Sequence, residues 1–166
     1  YSSLNFVYNK LRSGLEKENY VLLKQGDLPR HEMIEMFKMR DKAILFGTDS
    51  FWEGIDVQGD NLKSVVIIKL PFKSPEDPVT EAIIEYMRKN NQNPFMNFQI
   101  PQAVIKFKQG VGRLIRSKTD TGIITILDNR VIKKAYGEKF LKSLPKTTII
   151  KGNRDFILKT KDKSKV

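Results

Sequence analysis

Two arginines and a glutamine lie close together in the stretch KQGVGRLIRS, residues 108–117. On a helix that turns about 100° per residue, Gln109, Arg113 and Arg116 fall on one narrow face, with Gly112 at its edge. Arginine carries a planar fork of N–H donors that matches phosphate oxygens, and a glycine leaves room for close approach of a ligand. The spacing favours a phosphate-bearing ligand. The alternative is an ordinary amphipathic helix whose arginines pair with carboxylates or water.

The opposite side of this predicted helix is apolar. We predict a helix from Gln102 to Ser117, beginning just after Pro101. Its large apolar side chains would then pack together against a core: Val104, Phe107, Val111, Leu114 and Ile115.

A second group of polar residues follows the apolar segment AILFGT, in FGTDSFWEGIDVQGDNL, residues 46–62. Glycines and short polar side chains directly after a buried strand can aim backbone and hydroxyl donors at phosphate. Trp52 can stack on a base, and Asp56 can accept a hydrogen bond from a hydroxyl group or orient an arginine. The alternative is a turn with Trp52 in the core and Asp49 as a helix cap.

The composition limits the classes of site. The chain has 166 residues, 40% of them hydrophobic, and this length suits one domain with a real core. A net charge of +11 favours a polyanion such as nucleic acid, nucleotide or a membrane surface, and a basic surface with no such partner is equally compatible. No cysteine and one histidine, His31, exclude disulfides, thiolate-bound iron–sulfur clusters and histidine-rich metal sites within this chain.

Apolar segments alternate with amphipathic ones along the chain. We predict helices over residues 4–18, 31–39, 79–89 and 102–117 and another over 131–144 that breaks near Gly137, with Ser2 or Ser3 as the first cap. Residues 90–101 are predicted to form a polar turn region. The predicted strands are residues 20–24, 43–48, 64–70, 122–128 and 147–150. This order predicts an α/β three-layer domain with a mostly parallel sheet flanked by helices, over residues 1–150.

Residues 151–166 are expected to be a basic, partly frayed extension. The longest apolar run, SVVIIKL, is far shorter than the span of about 20 residues that crosses a membrane. The first residues show no signal peptide, so we expect an intracellular protein and no membrane partner.

Together, GTDSFWEGIDVQG and QGVGRLIRS resemble motifs V and VI of superfamily 2 helicases, most closely those of the DinG-type, XPD-like branch. YSS resembles the end of motif IV. The stretches KLPFKSPEDP and ILDNR also resemble DinG-type sequences, so the resemblance runs from Tyr1 to about Pro145. It implies the second of two RecA-like motor domains, in an ATP-dependent DNA helicase of the bacterial cytosol.

The resemblance also implies roles for individual residues. Arg113 and Arg116 match the arginines that reach the γ-phosphate of ATP, and Gln109 matches the motif VI glutamine that supports the nucleotide site. The resemblance assigns four residues to the nucleotide side of motifs V and VI: Glu53, Gly54, Asp56 and Gly112. It assigns six residues to the single-stranded DNA track: Ser2, Ser3, Thr48, Asp49, Ser50 and Trp52.

Two parts of a complete motor have no counterpart in this sequence. It contains neither the pattern GxxxxGK[S/T] of a P-loop nor an Asp-Glu-x-His stretch to hold Mg²⁺. The resemblance therefore implies that ATP and Mg²⁺ are held mainly by an upstream P-loop domain of the same polypeptide, and that this chain alone is inactive. A non-catalytic nucleic-acid-binding or regulatory module with a helicase-like fold is the alternative. A self-contained nuclease or metal hydrolase has little support.

Overall fold

Helices and short strands alternate along the chain in the computed structural model, which describes residues 2–52, 62–115 and 120–152. In chain order the elements are α1 (Ser2–Lys17), β1 (Val21–Lys24), α2 (Arg30–Lys38), β2 (Ala43–Phe46), β3 (Ser64–Ile67), α3 (Pro78–Lys89), α4 (Ile100–Val111), β4 (Ile123–Ile126), α5 (Arg130–Lys133) and α6 (Gly137–Lys142). A 3₁₀ helix, Asp49–Trp52, follows β2, and a π-helical turn, Phe95–Gln99, leads into α4.

The strands of the described residues form two parallel pairs. β1 pairs with β2, where Val21 lies opposite Ala43. β3 pairs with β4, where Ser64 lies opposite Ile123. Parallel strands joined by helices confirm the predicted α/β class, and they place the loops that leave β1 and β2 side by side at one sheet edge.

Each strand pair is covered by its own apolar cluster. α2 supplies three buried side chains, Met33, Ile34 and Phe37, which pack with Leu23 of β1. The second cluster joins β3 to α4, through the fully buried Phe107, and to Phe140 of α6. Each buried side chain of this size stabilises the fold by about 1.5–3 kcal/mol, so apolar burial fixes where the connecting loops start.

Several helix boundaries follow from local chemistry. α3 starts where Asp77 accepts hydrogen bonds from the backbone N–H and the hydroxyl group of Thr80, at 2.9 and 2.8 Å. Pro78 occupies the first turn of that helix, where no backbone donor is needed. Ser2 and Ser3, which were predicted to cap α1 from outside, lie within its first turn.

Three predictions about secondary structure are wrong. The helical run before α4 begins at Phe95, where a polar turn region was predicted, because Phe95 packs on Phe72 and Tyr136, with ring centroids 5.9 and 5.3 Å apart. α4 ends at Val111 and not at Ser117. Residues 147–150 form no strand, and this apolar segment is exposed.

Candidate functional site

The loop after β2 is fixed to the loop after β1 by one side chain. Gln25 follows β1, and its Oε1 atom accepts hydrogen bonds from the backbone N–H of Thr48, at 2.7 Å, and from Thr48 Oγ1, at 3.0 Å. The hydroxyl groups of Thr48 and Ser50 lie 2.8 Å apart. Adjacent parallel strands bring these residues together although 23 positions separate them in the sequence.

An ion pair ties the same loop to α4. Asp49 Oδ2 lies 2.8 Å from Nζ of Lys106, and only 18% of the lysine side chain is exposed. The other carboxylate oxygen of Asp49 accepts from the backbone N–H of Ser50 at 3.0 Å. Lys106 precedes Gln109 by three residues, about one helical turn. The loop after β2 is thereby linked to the helix that carries the candidate nucleotide residues.

A buried aromatic residue is the third anchor of this loop. Phe51 is buried, and its ring leaves no space at Gly47, where an added Cβ atom would lie 2.9 Å from Phe51 Cβ. Arg30 donates from Nη2 to the carbonyl oxygen of Phe51 at 2.7 Å, and its guanidinium group lies 5.1 Å from the centre of the ring. The glycine is therefore required by close packing with Phe51.

A pocket of about 310 Å³ lies between the loops that leave β1 and β2. Arg30 provides positive charge in its wall, and Ser50 contributes a hydroxyl group. Gly26 forms the turn on the other side with a φ of 101°, a left-handed conformation that glycine adopts without strain. The pocket joins a cation, a hydroxyl group and an apolar floor at the carboxyl ends of two parallel strands.

The end of α4 has a different character. Gln109 is exposed in the last turn, and Gly112 closes the helix by donating its N–H to Lys108 O at 2.8 Å. Arg113 follows in a turn and is half-buried. Among the residues that the structure describes, its Nε atom is buried and has no hydrogen-bond partner. A buried guanidinium N–H without an acceptor is costly, so this position suits an anionic acceptor supplied from elsewhere.

The predicted helix is therefore too long at its carboxyl end, and Arg113 lies in the turn that follows α4. Gly110 and Gly112 weaken the helix, since glycine lowers helical stability by about 1 kcal/mol relative to alanine. The chain turns instead, and Leu114 becomes buried against Gly122, where an added Cβ atom would lie 2.6 Å from Leu114 Cδ1. Arg113 lies four positions after Gln109, in the turn that ends α4.

Several candidate residues lie outside the described residues: Arg116, Glu53, Gly54 and Asp56. Of Trp52 only the backbone is described, as the end of the 3₁₀ helix. Their predicted roles stay predictions.

Ser2 and Ser3 are exposed at the start of α1. Ser3 Oγ accepts a hydrogen bond from Nζ of Lys69, just after β3, at 3.3 Å. This contact places Ser3 near the residues that follow β3, whereas Thr48 and Ser50 follow β2.

A second structured loop follows β4, where the sequence predicts a place for chemistry but sequence reasoning did not single out Asp128 or Arg130. Asp128 is buried and accepts from the backbone N–H of Leu70 at 2.9 Å and from Arg130 Nη2 at 2.6 Å. Hydrogen bonding to Arg130 is the main reason why the pKa of Asp128 falls to about 2. The two residues border a cleft of about 540 Å³ with Lys69. An aspartate directly after a buried strand, with an arginine two positions on, was the available signal.

The described residues contain no group of three or more His, Cys, Asp or Glu side chains that could hold a metal ion. Within the same ranges, no helix is long and apolar enough to cross a membrane.

Parallel strand pairs joined by helices, with a structured loop after β2, form the α/β framework of this site. The family described as helicase C-terminal domain matches residues 1–147, so the chain belongs to that family, and its α/β fold is RecA-like. The predicted resemblance to DinG-type helicases is confirmed by three relatives.

The chain is 48% identical over 133 residues to the ATP-dependent DNA helicase YoaA of Haemophilus influenzae, covering 80% of the chain and 21% of the relative. It is 44% identical over 149 residues to the ATP-dependent DNA helicase DinG of Photobacterium profundum, covering 87% and 22%. It is 42% identical over 148 residues to the 3′-5′ exonuclease DinG of Bacillus subtilis, covering 88% and 16%. The chain thus spans about a fifth or less of the length of these relatives.

Proposed function

We propose that this chain is the carboxyl-terminal motor domain of an ATP-dependent DNA helicase of the bacterial cytosol. Residues 1–150 form the domain, and residues 151–166 are a basic extension. An upstream P-loop domain of the same polypeptide holds most of the ATP and its Mg²⁺, and the isolated chain hydrolyses ATP at a negligible rate. Relatives with ATP-dependent DNA helicase in their names support this proposal.

The proposed nucleotide role rests on one observation, the buried hydrogen-bond donor of Arg113. Its buried Nε donor has no acceptor among the described residues, and it follows directly on a helix with the exposed Gln109. A phosphate oxygen presented by a neighbouring domain would satisfy this donor with a charge-assisted hydrogen bond. Arg113 and Arg116 act as arginine fingers, and Gln109 supports the same site.

ATP supplies the phosphoryl group that is transferred and the negative charge that builds up on it. The two arginines stabilise that charge from across the interdomain cleft, and such a residue is worth about 10³–10⁵ in rate. The same nucleotide site is proposed to include Gly112, Glu53, Gly54 and Asp56.

The single-stranded DNA track uses the loop after β2 and the start of α1. Thr48, Asp49, Ser50 and Trp52 lie on the former, and Ser2 and Ser3 on the latter. The net charge of +11 suits a polyanion, and binding to its backbone should weaken steeply as the salt concentration rises. The ion pair of Asp49 and Lys106 connects this track to α4 and hence to the nucleotide side.

The test is DNA-stimulated ATPase activity of the chain joined to its P-loop domain. We expect Arg113→Ala to lower turnover by about 10³-fold or more, with little change in ATP binding, because the charge acts mainly in the transition state. Arg88→Ala is the matched control, since Arg88 is exposed in the last turn of α3.

The same assay separates the proposal from its alternative. If Arg113→Ala and Arg116→Ala both leave turnover intact, the domain is a non-catalytic nucleic-acid-binding or regulatory module.

A further inference from the structure

Three polar side chains in the loops after β1 and β2 form a continuous hydrogen-bonded chain. Gln25 Oε1 accepts from Thr48 N and from Thr48 Oγ1, and Thr48 Oγ1 lies 2.8 Å from Ser50 Oγ. Thr48 is half-buried, whereas Ser50 is exposed on the wall of the pocket that also contains Arg30.

The hydrogen bond from the Thr48 backbone N–H to Gln25 determines which group donates in each of the other two hydrogen bonds. A backbone N–H can only donate, so the Gln25 atom that faces the N–H of Thr48 must be the amide oxygen. The Thr48 hydroxyl group, 3.0 Å from that oxygen, must donate its one proton to it. Thr48 Oγ1 is then an acceptor towards its other neighbour, and Ser50 must donate to it.

Ser50 consequently presents lone pairs, and not a proton, to the pocket. The sugar–phosphate backbone of DNA offers acceptors but no N–H or O–H donors along its length. The N–H groups of DNA belong to the bases, on their amino and imino positions. A serine with its proton directed inward is thus matched to a base edge and mismatched to a phosphate oxygen.

We propose that Gln25 is a positioning residue that sets this polarity, and that Ser50 accepts a hydrogen bond from a base N–H of the bound single strand. This inference rests on the proposed function for the assignment of DNA to the loop. The positive charge of Arg30 in the same pocket provides the complementary contact to phosphate.

The role of Gln25 is tested first without DNA, by hydrogen exchange in the same two-domain polypeptide. Gln25→Met removes the acceptor, so the Thr48 amide should exchange about tenfold faster or more, since the hydrogen bond that protects it is lost. Gln25→Glu keeps an acceptor oxygen at the same place and should restore protection. Equal exchange in the methionine variant and the unmodified protein would overturn the role of Gln25.

The base contact is tested with two strands of equal length, one of ordinary single-stranded DNA and one with abasic sugars throughout. Ser50→Ala should weaken binding of the ordinary strand by about two- to tenfold and leave the abasic strand unaffected. Ser13→Ala, an exposed serine on α1, is the matched control and should change neither.

Equal weakening of both strands by Ser50→Ala would show that the serine contacts phosphate, and this result would overturn the base contact. Absence of DNA binding by the unmodified protein would overturn the proposed function and the base contact together. The exchange of the Thr48 amide would still decide the role of Gln25, so the two failures are distinguishable.

Discussion

The loop after β2 and the turn after α4 differ in how their polar groups are satisfied. In the loop, Thr48 bonds to Gln25 and Asp49 pairs with Lys106, so the domain's own side chains hold it. In the turn, Arg113 buries Nε with no acceptor among the described residues. The described part of the loop is therefore held by side chains of this domain, whereas the Nε donor of Arg113 has no acceptor within the described ranges. This contrast supports the proposal that Arg113 acts on a phosphate across a domain interface.

The loop after β4 resembles the loop after β2, because Asp128 is satisfied by Leu70 and Arg130 of the same domain. We expect the largest effect on stability here. Asp128→Ala should lower the free energy of unfolding by about 3 kcal/mol, since it leaves the Leu70 amide and a partly buried guanidinium group unpaired. Urea unfolding of the domain measures this, and Glu138→Ala, which removes an exposed ion pair on α6, is the control with little change.

The same carboxylate gives a pH dependence with a defined sign. The folded pKa of Asp128, about 2, lies below its ordinary value of 3.8. Because the pKa is lower in the folded state, the ionised carboxylate stabilises the fold at every pH above the pKa of the unfolded state. This contribution of about 2 kcal/mol is lost as the pH falls from about 4 to 2. This acid loss should be absent from the pH dependence of unfolding of the Asp128→Asn variant. An equal acid loss in that variant would assign it to other carboxylates.

Packing at Gly47 tests how rigidly Phe51 holds the loop after β2. Gly47→Ala places a methyl group against Phe51 and should lower the free energy of unfolding by about 1–3 kcal/mol. Gly14→Ala, in α1, meets no heavy atom within 4 Å and should instead raise stability by about 0.5–1 kcal/mol. Thermal unfolding of both variants gives the comparison. If Gly47→Ala leaves the free energy of unfolding unchanged, the loop shifts to accommodate the added methyl group.

A pair of substitutions should have opposite effects in the two regions. Thr48→Val removes the hydroxyl group from a satisfied chain and should cost about 1 kcal/mol. Arg113→Met removes a buried donor that lacks a partner, so the isolated domain should be unchanged or up to about 1 kcal/mol more stable. Denaturant unfolding measures both, and a clear loss with Arg113→Met would show that the arginine already has an acceptor within the domain.

The smallest stability effect is expected at the ion pair of Asp49 and Lys106. Because Asp49 is 36% exposed, a double-mutant cycle with Asp49→Asn and Lys106→Met should give a coupling of about 0.5 kcal/mol or less. The stimulation of ATPase activity by DNA should nevertheless fall in either variant of the two-domain polypeptide, because the loop loses its connection to α4. If DNA stimulates the ATPase activity of both variants as strongly as that of the unmodified protein, this ion pair does not couple the DNA track to the nucleotide site.

Local sequence signals predicted most of the elements. The apolar runs at residues 20–24, 43–48, 64–70 and 122–128 each contain an observed strand, and the break at Gly137 separates α5 from α6. The end of α4 was not predictable from hydrophobic spacing, because Leu114 fits the apolar face of a longer helix equally well. Its burial against Gly122 depends on a contact across the fold.

The sequence by itself determined the α/β class, the family and the candidate residues around Arg113 and Thr48, since periodicity and motif spacing are local properties. Only the tertiary structure decided which side chains meet. Gln25 reaches Thr48, Asp49 reaches Lys106, and Asp128 reaches Leu70, each across many positions of the chain. The physical reason is that parallel strands bring loops together through apolar burial, and hydrogen-bond partners are then chosen by distance in space and not along the sequence.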